Sequence, residues 1–372
     1  MRVFNVRNVS EALYVVNQAI REHGVQQDTR NGPALEFPYP IAITYELPRE
    51  RVLFYPERDA NPFFHLLESM WMLAGRNDVH WIERFNNRMS VYSDNGKTFH
   101  GAYGYRWRKH FFEDQLETVI HRLCRYPNDR RAVLGMWDPR DDLVRSNKNV
   151  DLPCNTHIYF RIDSLNRLHM TVCNRSNDMI WGALGANAVH MSYLQEYIAA
   201  HVGCKVGTYT QFSNNFHAYL ETLGKLDGMQ PDYDPYLWRL SAHATDGLSP
   251  LADLVHDTDK FDSDLQMFIE YTGQNYVHAA TMPDQLRTTK NSFFRDVAVP
   301  MAEAYLEWKR YKLSEEVPYM LNAQDIVQTI QAADWRRACH EWLNRRATKA
   351  GFKVLAPEEE FGCAGAKQKG PE

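Results

Sequence analysis

The stretch Leu152-Pro153-Cys154-Asn155-Thr156-His157-Ile158-Tyr159-Phe160-Arg161-Ile162 carries a thiol straight into an alternating strand. Residues 156–162 alternate apolar and polar side chains, residues 163–166 (Asp-Ser-Leu-Asn) read as a hairpin turn, and residues 168–173 read as the return strand. That strand leads to Arg175-Ser176-Asn177-Asp178, then Gly182 and Asn187, and later to Asn215-Phe216-His217-Ala218-Tyr219. Upstream, residues 131–137 read as a further strand, and residues 37–54, broken by Pro38, Pro40 and Pro48, as strands separated by turns. Residues 28–33 read as a polar loop carrying Arg30.

Helical spacing appears over residues 10–23, with Ser10 as cap and Gly24 as stop, and over residues 62–74. Residues 188–202 form another helix, ended at Gly203 by a left-handed cap. From about residue 226 the chain reads as helical and polar, with helices over 262–271 and 323–345.

Of the 372 residues 44% are apolar and 13% aromatic, enough for a sizeable core and suited to an α/β or α+β enzyme. A net charge of −5 argues against a nucleic-acid coat, so no stable nucleic-acid binding is expected. The six cysteines are scattered without a CxxC pair or a Cys/His metal spacing, which points away from zinc and from structural disulfides. The sequence starts without an apolar leader, and no apolar run is long enough for a membrane span. A cytoplasmic protein of a reducing compartment, host cytoplasm if phage-encoded, is the expectation.

Carbon C5 of a pyrimidine is a poor nucleophile, and a thiolate adding at C6 turns it into an enolate-like carbon able to attack an electrophilic methylene. Cys154, followed by an Arg-Ser pair, a carboxylate, an amide and a His-x-Tyr, supplies such a thiol together with groups to hold a phosphorylated sugar. Neighbouring arginines are expected to lower its pKa. This ordered set resembles the thymidylate synthase family over roughly residues 10–222.

The resemblance implies an α+β fold with a mixed, twisted sheet, flanking helices and an extra helical C-terminal region. It implies a homodimer, with 5,10-methylenetetrahydrofolate as cosubstrate and a pyrimidine deoxynucleotide monophosphate as substrate. Residues 1–225 would form the catalytic core, 226–352 a helical extension packed on it, and 353–372 a flexible tail. Arg175 and Ser176 match the family's phosphate-holding pair and Arg30 its loop arginine. Arg130 and Arg131 match the pair lent across the dimer interface. Glu68, on an otherwise apolar helix, matches the proton-relay glutamate, and Trp71 follows it in the family's context. Tyr103, within Tyr103-Gly104-Tyr105-Arg106-Trp107-Arg108, matches the active-site tyrosine. Asp178 matches the carboxylate that contacts the folate's pterin, and His217 and Tyr219 the pair on the sugar hydroxyl.

Asn187 matches the amide that pairs with uracil, although the gap from Gly182 is one residue longer than in ordinary synthases and Ala186 competes for the place. Other departures coincide. Asn155 stands where His is usual, and residues 89–94 lack the Trp-rich stretch that walls in the exocyclic methylene. With that wall opened, water can add in place of hydride. The chain thus looks most like the nucleotide hydroxymethylase branch known from phages and antibiotic pathways, acting on dUMP. Hydroxymethylation of dCMP and methylation of dUMP stay open, as do a non-catalytic nucleotide- or RNA-binding scaffold and a cysteine hydrolase using His157 or His217.

Overall fold

The computed structural model describes residues 1–146, 148–230, 235–236, 252–274 and 282–352. Eight strands form one mixed sheet: β1 (Arg2–Val6), β2 (Val25–Thr29), β3 (Gly32–Glu36), β4 (Ile41–Tyr45), β5 (Val133–Gly135), β6 (Asn155–Ile162), β7 (Arg167–Asp178) and β8 (Lys205–Tyr219). The main order is β1-β4-β8-β7-β6-β5, and β3 joins the distal part of β8 while carrying β2 as a hairpin. β6 and β7 pair antiparallel across the Asp163–Asn166 turn. β7 and β8 pair parallel, which sets Ser176 opposite Asn215 and Asp178 opposite His217. This register brings two motifs that are far apart in sequence to one end of the sheet.

The longer helices are α1 (Val9–His23), α2 (Pro62–Leu73), α3 (Gln115–Arg125), α4 (Asn187–Val202), α5 (Thr258–Thr272), α6 (Val299–Ser314), α7 (Val317–Gln328) and α8 (Ala333–Lys349). α4 is buried along most of its length and ends at Gly203, left-handed at φ 76° as expected. Its Gln195 donates to the carbonyls of Leu168, Gly207 and Thr208, beside the irregular pairing between Leu168 and Met170. A buried amide thus satisfies carbonyls at a ladder irregularity.

Helices cover one face of the sheet, where Ile158, Phe160, Leu168, Met170, Val172 and Tyr209 are buried. The alternate residues of β6, His157, Tyr159 and Arg161, are exposed on the other face, beside the half-buried Thr171, Cys173 and Phe212. The C-terminal helices share the main core. Phe63 of α2 meets Tyr305 of α6 and Trp342 of α8, each at 5.5 Å between ring centroids. Arg345 and Arg346 of α8 grip Asp59 at 3.1 and 3.0 Å. None of the described helices is long and apolar enough to cross a membrane.

Four local expectations need correction. Asn8 caps α1, accepting from Glu11 N at 3.0 Å, while Ser10 is buried. Residues 28–33 are a tight hairpin, closed by Gly32 at φ 110° with Thr29 Oγ1 donating to its carbonyl, instead of a loop. Of residues 131–137 only Val133–Gly135 is strand. The single helix expected over 323–345 is two, because buried Ile330 and a bond from Gln331 N to Asp296 O draw the chain out of helix there. The tail expected at 353–372 lies outside the described residues.

Candidate active site

Cys154 sits where the chain enters β6, and its carbonyl accepts from Arg175 N on β7 at 2.9 Å. Arg175 folds back over the same segment, its Nε donating to Pro153 O at 2.9 Å and its Nη2 to Leu152 O at 3.3 Å. The thiol therefore lies under a guanidinium and receives a hydrogen bond from Tyr103. Burial nevertheless pushes the Cys154 pKa above 9.0, outweighing Arg175 and Tyr103. The expected lowering by arginines is not what prevails, because desolvation of a thiolate costs more here than the nearby charge returns. The hydroxyl of Tyr103 is likewise raised well above its usual value, first by burial and then by Cys154.

Two glycines allow this approach. A Cβ at Gly101 would lie 2.9 Å from Asp151 Oδ1 and 3.0 Å from the Leu152–Pro153 backbone, and one at Gly104 would lie 1.8 Å from Met72 O. Asp151 tethers the Tyr103 segment by accepting from His100 N and Gly101 N. The turn bearing Tyr103 is thereby pressed between α2 and the Cys154 strand.

Cys154, Tyr103, Glu68, Trp71, Asp178 and Asn187 all line one cavity of about 820 Å³. Arg175, Ser176, His217, Tyr219 and Arg30 stand behind or beside this lining, at the sheet end that the parallel register assembles. Arg30 is in the exposed β2–β3 turn, donating to Asn149 O, and is near enough to favour the Cys154 thiolate electrostatically. Arg130 and Arg131 do not line the cavity of their own chain; both are exposed, and Arg131 pairs with Asp129 at 3.0 Å.

His217 has a fixed tautomer. Glu36 Oε2 accepts from Asn215 Nδ2 at 3.0 Å, which turns Asn215 Oδ1 toward His217 Nδ1 at 2.8 Å. His217 Nδ1 therefore carries the proton and Nε2 is left as an acceptor. Burial lowers the His217 pKa, and burial raises that of Asp178 opposite it. Tyr219, its ring 5.1 Å from that of His217, accepts from Asn31 at 3.1 Å.

Asn187 lies in the cavity wall. Met179–Ala186, which precedes it, forms a wide turn of π type, with Leu184 and Gly185 off helical geometry. Ala186 also lines the cavity, but Asn187 is the one tied into the polar network, donating to Asn177 Oδ1 at 3.1 Å.

Three buried cavity groups were not anticipated. His190 Nε2 lies 3.1 Å from Glu68 Oε2, out of line for a hydrogen bond. His65, one turn before Glu68, has its pKa held well below 6.5 by burial, then by Arg58 and His190. Arg58 donates twice to Ile180 O, stacks on Trp181 at 4.8 Å, and is brought down to about 10 by burial. Periodicity reads His65 and His190 as core positions of apolar helices, and Arg58 belongs to no motif. Tyr305, Trp308, Lys309 and Lys312 of α6 also line the cavity, an assignment that a distant helix cannot reveal in sequence.

The chain's similarities agree with this geometry. A family model described as thymidylate synthase matches residues 13–238. A protein of Pseudomonas phage M6 named deoxyuridylate hydroxymethyltransferase is 45% identical over 365 residues, covering 95% of this chain and 96% of that one. A protein of the same name in Bacillus phage SP01 is 36% identical over 195 residues, half of each chain. Another, in Delftia phage PhiW-14, is 30% identical over 231 residues, 59% of this chain and 63% of its own.

Proposed function

This chain belongs to the thymidylate synthase family, and on that premise we propose that it converts dUMP to its 5-hydroxymethyl derivative, with 5,10-methylenetetrahydrofolate as one-carbon donor. Similarity along almost the whole chain to a deoxyuridylate hydroxymethyltransferase carries the reading. The meeting of Cys154 and Asn187 in one cavity supports it. Overall, dUMP, the methylene donor and water give 5-hydroxymethyl-dUMP and tetrahydrofolate.

The phosphate is held by Arg175, Ser176 and Arg30, completed by Arg130 and Arg131 of a second copy docked on the open sheet face. A guanidinium fork suits a dianion, and five arginine or hydroxyl donors can saturate its oxygens. His217 Nε2 accepts from the sugar hydroxyl, with Tyr219 beside it. Asn187 pairs with N3–H and O4 of uracil. Cys154 adds to C6, and C5 becomes the nucleophile. Tyr103 takes part in removing the C5 proton once the new carbon–carbon bond is made, and loss of that proton lets the one-carbon unit's bond to the folate nitrogen break, releasing tetrahydrofolate. Glu68, with His190 close by, takes the proton of the incoming water as its oxygen bonds to the one-carbon unit. The sulfur then leaves C6.

The folate supplies the electrophilic methylene. The residues present suit its pterin: Asp178 Oδ2 and Trp71 Nε1 are buried without hydrogen-bond partners and both residues line the cavity. An unpaired buried acceptor is costly unless a ligand satisfies it. Asp178 would accept from pterin N–H groups, and Trp71 would lie against the pterin.

Purified protein given C5-tritiated dUMP and the methylene donor releases tritium without forming dihydrofolate. Stoichiometric dihydrofolate, seen by absorbance, would mean methylation instead.

A further inference from the structure

We propose that Gln211 and Asn177 select uracil over cytosine by locking the Asn187 amide in one of its two orientations. The proposal deepens the dUMP reading and rests on Asn187 facing the base.

Uracil offers a donor at N3 and an acceptor at O4, whereas cytosine offers an acceptor at N3 and a donor at N4. A primary amide can serve either ring, provided that it turns over. Asn187 therefore discriminates only if something prevents the turn. The preventing element begins at a backbone carbonyl, which accepts and never donates. Ala183 O accepts from Gln211 Nε2 at 2.9 Å, so the amide nitrogen of Gln211 must face that way. Gln211 Oε1 then faces Asn177 and accepts from its Nδ2 at 3.0 Å. Asn177 Oδ1 is in turn directed at Asn187 and accepts from Nδ2 at 3.1 Å. Asn187 is left with its Oδ1 and its second N–H for the cavity, which is the pattern that complements uracil.

All three amides are sealed from water: Gln211 is 0%, Asn177 1% and Asn187 6% exposed. Turning Asn187 over would set its oxygen against Asn177 Oδ1 in a dry interior, with no solvent to relieve the clash. Turning Asn177 as well only passes the conflict to Gln211, and from there to the Ala183 carbonyl, which cannot turn. Ser213 Oγ also accepts from Asn177 Nδ2 at 3.0 Å, but a hydroxyl serves either amide orientation and so decides nothing. Gly182 leaves the room required, since a Cβ there would come within 2.9 Å of Asn177 Oδ1 and 3.3 Å of Asn187 Nδ2. Gln211 and Asn177 are thus positioning residues for specificity.

The test compares kcat/KM for dUMP and for dCMP, read as tritium release from each C5-labelled nucleotide. Gln211→Met removes the lock while keeping the volume, and the dUMP:dCMP preference should fall by about fivefold or more, the low end of what one bidentate pair discriminates. Asn177→Ser, a smaller change, should lower it in the same direction. Gln211→Glu should retain the preference. A buried carboxyl held neutral donates its O–H to Ala183 O and still accepts from Asn177. A structural role alone would lower both activities and leave their ratio in place. The lock is refuted if Gln211→Met and Asn177→Ser keep the wild-type ratio while Asn187→Asp moves the preference toward dCMP. If Asn187→Asp also leaves the preference unchanged, Asn187 does not face the base and the reading beneath the proposal fails with it.

Discussion

Arg175 does two jobs with one side chain. Its guanidinium is aimed at a phosphate in the proposed reaction, and two of its N–H groups already hold the carbonyls just ahead of Cys154. Arg175→Ala should raise KM for dUMP by about 10- to 100-fold, since a hydrogen bond to a charged group is worth about 1.5–3 kcal/mol. It should lower kcat as well, because the segment that aims the thiol is released; steady-state kinetics separates the two effects. An unchanged KM would remove Arg175 from the phosphate. Residues of this kind were legible because Cys154, the Arg-Ser pair and His-x-Tyr lie in short ordered motifs. His190, His65 and Arg58 were not, since their meaning comes only from what α4, α2 and the Ile180 turn place opposite them.

Among the elements, α2 combines core and site on one surface. Its Phe63, Leu66, Leu67 and Met70 are fully buried, and the same helix carries His65 and Glu68 to the cavity. His65 is held neutral, so the unfolded chain binds its proton more readily than the folded one below pH 6.5. Its contribution to stability is therefore complete above that value and is lost as pH falls through it toward the lower folded pKa. Acidification from pH 7 to 5 should therefore lower stability through this residue. His65→Gln should flatten that acid limb in denaturant melts; an identical pH dependence in the variant would refute the assignment. Element boundaries were readable where caps and period agree, as at Gly203. They were misread where burial of a single side chain, Ile330, overrides helical spacing, and the 15-residue β8 could be located only by its pairing with three strands, β3, β4 and β7.

For the whole molecule, the open face of the sheet and the outlying Arg130 and Arg131 fit an assembly in which each copy completes its neighbour. Mixing Arg131→Ala with Cys154→Ser, each weak alone, should restore activity in the fraction of hybrids that contain one intact site. Activity no greater than the sum of the two would argue that each copy works by itself. The general architecture was accessible from motifs at one end of a sheet. The role of the C-terminal helices was not, because their link to the site is made by packing: Tyr305 and Trp308 meet Trp342 while lining the cavity beside residues of α2.

That link sets an order of events during synthesis. A ribosome that has delivered the sheet, Cys154 and Asn187 has not yet delivered α6, which forms part of the chamber's boundary. The nascent chain thus holds the Cys154 sulfur in an unfinished vessel until the later helices emerge and close around it.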